Sequence, residues 1–168
     1  MILLSLIGAY EPILNPDNLK FIVQNIGTLT GKEVRFIKDS DSNLKTTLKG
    51  RYISGSNPEL ICRKYATERS EVGIHQQIST CSMLEILFKI KNRLISENNI
   101  KRINSDFFLI GITCLDIFPT ENHEYVFGQS DPEKGIAIIS AFRLCKKNES
   151  LTNSRILKMF NVYYMLNK

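Results

Sequence analysis

Residues 106–144 read DFFLIGITCLDIFPTENHEYVFGQSDPEKGIAIISAFRL. The runs DFFLIGIT (106–113) and IAIIS (136–140) are apolar on both faces, not on alternate positions. A strand written that way is covered on both sides, so both runs read as central strands of a sheet sandwiched by other elements. DPEKG (131–135) between them carries Pro and Gly in turn positions. EYVFG (124–128) reads as a further short strand.

Working upstream, SMLEILFKIKNRLISENN (82–99) has Met83, Leu87, Ile90 and Leu94 on one side, the spacing of an amphipathic helix. Ser82 and Glu85 have the spacing of a capping box at its start. NPDNLKFIVQNIGTLTG (15–31) gives a second long helix, with Asn15 as N-cap, Pro16 in the first turn and Asp17 complementing the helix dipole. Its stripe is Leu19, Ile22, Val23, Ile26 and Leu29, and Gly31 is placed to end it. MILLSLIGAY (1–10) and KEVRFIK (32–38) read as strands on either side of that helix. Residues 39–80 are polar and glycine-containing. They read as a long excursion with a short helix at 58–65, and long loops in compact domains are often functional. Downstream, Thr152 or Ser154 caps a last, mostly apolar helix, RILKMFNVYYMLNK (155–168). The order β-α-β-loop-α-β-β-β-α predicts an α/β (α+β) protein: a mixed sheet carrying two long helices and one more at the end.

Size and composition set the class. The chain has 168 residues, 43% hydrophobic and 23% charged, with a net charge of +5. That suits one domain, 1–168, with a full core. The apolar start lacks the basic region and cleavage site of a secretory signal, and no run reaches the ~18 apolar residues of a membrane span. A cytoplasmic protein with no membrane role is expected. Cys62, Cys81, Cys114 and Cys145 show no metal-knuckle or redox spacing, so reduced, mostly buried thiols are expected. The basic residues fall in scattered pairs and the aromatics lie in apolar strands, so a nucleic-acid partner is not expected.

Catalytic motifs are sparse. HEYVF (123–127) begins like a zinc helix, but such a helix needs a second His four residues on, and position 127 is Phe. In a strand, residues four apart are ~13 Å distant. His75 and His123 therefore read as exposed or capping side chains. No serine sits in a nucleophile elbow and no glycine-rich phosphate loop occurs. Asp106, Asp116, Glu121 and Glu124 read as solvated carboxylates near strand ends.

The stretch 111–144 resembles the archaemetzincins, a family of zincin-type zinc proteases. The resemblance is carried by Gly111, Ile112, Thr113 and Asp116, then Tyr125-Val126-Phe127-Gly128, then Ile136–Ser140 and the pair Arg143-Leu144. It is best over residues 107–158 and weaker over the rest of the chain. It implies a zincin-like mixed sheet, the N-terminal subdomain of such a protease, followed by an active-site helix that opens Arg-x-x-Lys and continues HExxHxxGxxH. Arg155 and Lys158 match the opening. In that register Val162 stands for the first zinc His, Tyr163 for the catalytic Glu and Leu166 for the second His. A catalytic zinc needs about three protein ligands and an open water position, and the Glu would take the water's proton. The resemblance thus implies an incomplete active-site helix with the C-terminal subdomain missing, no catalytic or metal residues, no cofactor where intact members hold zinc, and no peptidase activity. A broken reading frame and divergence into a non-catalytic protein both fit.

What would survive of the family's cleft is the strand Tyr125, Val126, Phe127 and Gly128, which would frame an extended substrate. A peptide or protein could pair there or on the apolar C-terminal helix. The readings from other classes are a protease completed by a separately encoded segment, and a nucleic-acid binder using the 39–80 excursion.

Overall fold

The computed structural model describes residues 1–7, 16–37, 62–65, 75–96, 107–144 and 154–160. Strand β1 (Ile2–Leu6) leads to helix α1 (Pro16–Thr30), strand β2 (Val34–Ile37), strands β3 (Cys62–Tyr65) and β4 (His75–Ser79), and helix α2 (Thr80–Ser96). Strands β5 (Phe108–Thr113), β6 (Asp116–Phe118), β7 (Gly128–Asp131) and β8 (Ile136–Ser140) follow. A last helix, α3, covers 154–160.

The main sheet has the order β2-β1-β5-β8-β7. β1 pairs in parallel with β2 and β5, and β5 in parallel with β8, while β7 runs antiparallel to β8. The doubly apolar runs are central, as their composition requires. Alternation along them splits the core in two. Ile2, Leu4, Leu6, Ile110, Ile112, Ala137 and Ile139 face α1 and α3, meeting Ile22, Ile26, Ile156 and Phe160. Leu3, Ile7, Leu109, Ile136 and Ile138 face the other way, meeting Met83, Ile86 and Leu87 of α2. Gly111, on the α2 side of β5, lets that helix approach: a Cβ there would lie 2.8 Å from Ile7 Cδ1, 2.9 Å from Ile138 Cδ1 and 3.1 Å from Leu87 Cδ1.

A second sheet, order β3-β4-β6, lies on the α2 side. β4 runs antiparallel to β3 and parallel to β6, and Ile78 and Ile117 join the α2-side core.

Several expectations are corrected by tertiary pairing. Residues 62–65 form a strand, not the end of a short helix, because they pair with β4. The rest of the 39–80 excursion, 39–61 and 66–74, lies outside the described residues. α2 starts at Thr80, directly from β4, so Ser82 is a buried first-turn residue and no capping box opens the helix. The strand expected at 124–128 is displaced: Val126 makes an isolated bridge to Ile117, and β7 proper begins at Gly128. Its polar sequence GQSD gives no strand signal because an edge strand buries little. Gly31 does end α1, with φ +63° and its N–H donating to Gly27 O at 2.9 Å. The β7–β8 turn closes with Gly135 at φ +62°. Lys91 Nζ of α2 donates to Lys134 O of that turn at 2.8 Å and lies 5.1 Å from the Phe107 ring centroid.

Asn15, Thr152 and residues 161–168 lie outside the described residues. No helix among the described residues is long and apolar enough to cross a membrane.

Candidate functional site

The polar centre of the molecule is built by two strands that leave the sheet in the same way. β5 and β8 are parallel neighbours, and their last residues, Thr113 and Ser140, are register partners. Each hydroxyl then accepts the N–H two residues on: Leu115 N donates to Thr113 Oγ1 and Phe142 N to Ser140 Oγ, both at 3.2 Å. These are side-chain-stabilised turns of one type. Ser140 Oγ donates to Leu115 O at 2.5 Å and Ala141 N to Thr113 O at 2.7 Å, locking the turns together. Asp116 lies three residues beyond Thr113, and Arg143 three beyond Ser140. Equal offsets on adjacent parallel strands bring them face to face.

Arg143 Nε donates to Asp116 Oδ1 at 2.8 Å and Arg143 Nη2 to Oδ2 at 2.7 Å, a bidentate pair. The Asp116 side chain is 0% exposed and that of Arg143 20%. Gln77, the register partner of Asp116 on β4, donates Nε2 to Asp116 Oδ2 at 2.7 Å and to Glu124 O at 2.8 Å. The Arg143 guanidinium carbon lies 3.7 Å from the Tyr125 ring centroid, and that ring meets Phe127 edge-on at 5.6 Å. Asp116 is therefore not a solvated turn carboxylate. Its signal was available in the sequence as the matching T-x-x-D of 113–116 and S-x-x-R of 140–143. Gln77 gave no sequence signal.

The other acidic candidates fall elsewhere. Asp106 lies outside the described residues, while Glu121 and Glu124 are exposed. His123 is exposed, with its ring nitrogen Nδ1 2.6 Å from Thr120 Oγ1. Cys81 is an exposed thiol and Cys114 a buried one.

Of the four residues named for a substrate-framing strand, Gly128 alone belongs to β7. Ser140 N donates to Phe127 O at 2.8 Å. The antiparallel register then turns the backbone groups of Val126, Gly128 and Ser130 away from β8. Val126 N donates outward to Ile117 O at 3.0 Å. Tyr125 is occupied as the cover over Arg143. Thr80 Oγ1, at the start of α2, donates to Gln129 Oε1 on β7.

Among the described residues, no three His, Cys, Asp or Glu side chains converge to hold a metal ion. The Asp116 carboxylate already accepts from Arg143 and Gln77.

No protein-family model matches the sequence, and no curated protein matches it. Solved structures do match. A zinc-dependent peptidase from Methanocorpusculum labreanum superposes with a TM-score of 0.61 at 16% identity, covering 94% of this chain and 75% of that one. Archaemetzincin from Methanopyrus kandleri gives a TM-score of 0.51 at 13% identity, covering 95% and 68%. With its mixed sheet between α1 and α3 on one side and α2 on the other, the chain has the archaemetzincin fold.

Proposed function

We propose that residues 1–168 keep the archaemetzincin scaffold without its chemistry, and do not hydrolyse peptides by themselves. One observation carries this reading. In the register that aligns Arg155 and Lys158 with the family's helix opening, Val162, Tyr163 and Leu166 replace His, Glu and His. None of the three supplies an imidazole or a carboxylate, and both are needed to hold zinc and to take the proton of its water. The test is hydrolysis of a mixed peptide pool by the purified chain supplied with zinc. No cleavage above buffer is expected; cleavage abolished by a chelator overturns the proposal and favours a complete zinc site.

A second reading is favoured by the position of β7 at the end of the main sheet. There the scaffold pairs weakly with an extended peptide or protein segment along the outer edge of β7, the contact that β-augmentation uses. A cytoplasmic location belongs to the same proposal, supported by Cys81 and Cys114 being thiols.

A further inference from the structure

We propose that Arg143 is the latch of a strap, residues 119–126, which closes over the polar centre and opens as a unit while the sheet stays folded. The strap leaves β6, crosses the Asp116–Arg143 pair and enters β7. After its start it is tied down at Glu124, Tyr125 and Val126, and it ends against Phe127, whose carbonyl accepts from Ser140 N at 2.8 Å. Gln77 Nε2 donates to Glu124 O at 2.8 Å, Tyr125 lies on Arg143 at 3.7 Å, and Val126 N donates to Ile117 O at 3.0 Å. The first two converge on one carboxylate, because Gln77 and Arg143 both donate to Asp116. The strap is otherwise polar and exposed from Thr120 to Tyr125, with little apolar burial of its own there. Segments that bury little apolar surface open below the global unfolding free energy.

Arg143 suits this role through its planarity. One face of the guanidinium stacks on Tyr125 while its edge forks onto Asp116, a combination that Lys cannot make. Tyr125, 36% exposed, is the removable side of the latch, and Asp116, wholly buried, is the fixed side. The inference is independent of whether the chain binds zinc or peptides.

Native-state hydrogen exchange tests it on the intact chain. The reporter is the Val126 amide. The references are the Leu109 amide, which donates to Gly135 O, and the Ile7 amide, which donates to Ile112 O. Arg143→Gln and Tyr125→Leu should each speed Val126 exchange at least tenfold relative to both references. Tyr125→Phe, which keeps the stacked ring, should leave Val126 near wild type. Tyr125 is exposed, so its two variants keep the test valid even where Arg143→Gln fails to fold. Equal acceleration of Val126, Leu109 and Ile7 would mean general destabilisation and overturn the latch. So would an unchanged Val126 in Tyr125→Leu, or acceleration by Tyr125→Phe equal to that by Tyr125→Leu.

Discussion

Two Gly→Ala substitutions should change stability in opposite directions. At Gly111 the new methyl would stand 2.8, 2.9 and 3.1 Å from Ile7 Cδ1, Ile138 Cδ1 and Leu87 Cδ1. Carbon atoms prefer separations of about 3.5–4.0 Å, so each neighbour must retreat by roughly half an ångström or more. All three are terminal methyls, which limits the cost. They are also at most 1% exposed, so each must press on further packed atoms. Overpacking of this kind costs about 1–3 kcal/mol, and the loss of unfolded-state freedom returns about 0.4–1 kcal/mol. The net expectation for Gly111→Ala is a loss of about 1 kcal/mol. At Gly27, inside α1, a Cβ would meet only Lys32 O at 3.7 Å and Val34 Cγ2 at 3.8 Å, ordinary contacts. Alanine there should stabilise by about 0.5–1 kcal/mol through helix propensity. Urea unfolding of wild type and both variants measures the pair, with the midpoint moving and the m-value constant. A Gly111→Ala protein as stable as wild type would refute the close approach of α2 to β5.

Further expectations follow from the polar centre and the β7–β8 turn. Arg143→Ala leaves the fully buried Asp116 carboxylate without its counter-charge and should cost about 3 kcal/mol in urea unfolding; a change of a few tenths would contradict the burial. The side-chain hydrogen bond from Lys134 holds the Asp131 carboxyl below its ordinary value of 3.8. Its stabilisation is present above that value and lost as pH falls through the lower folded-state value. Lys134 is raised above 10.5, first by the same hydrogen bond, so its share is lost only as pH rises beyond that. Thermal melts between pH 5 and pH 2 should therefore show a smaller acid-induced drop for Asp131→Asn than for wild type, the difference being small because the pair is solvent-exposed. At Gly135, φ is +62° and a Cβ would lie 2.6 Å from Lys91 Nζ. Gly135→Ala should lose about 1–2 kcal/mol, and a neutral result in the same urea assay would contradict the left-handed turn.

The parts of the fold legible in the sequence are those whose signal is local. The doubly apolar β5 and β8, the stripe Leu19–Ile22–Val23–Ile26 and the stop at Gly31 each follow from residues a few positions apart. What was not legible depends on pairing across the chain. β3 and β7 are short edge strands of polar sequence, and they are strands because β4 and β8 lie beside them. β6 is three residues long. The helical reading of 58–65 extended a proline-initiated pattern into residues that the β4 partner holds extended. Asp116 was read as a solvated turn residue because its burial comes from Arg143, 27 positions away, and Gln77, 39 away. The signature residues of the resemblance turn out to be structural: Gly111 admits α2, Thr113 and Ser140 shape the two turns, and Asp116 and Arg143 join them. They shape the scaffold, which is why the fold could be read from them.

The proposed lack of a zinc site on this archaemetzincin-like scaffold can be tested directly. Equilibrium competition tests it most directly: one equivalent of zinc is added to purified residues 1–168 and titrated with a chromophoric chelator. The chelator is expected to take the metal as it does in buffer alone, with no zinc withheld by the protein. Retention of about one zinc per chain, at the affinity of a site with three protein ligands, would contradict it.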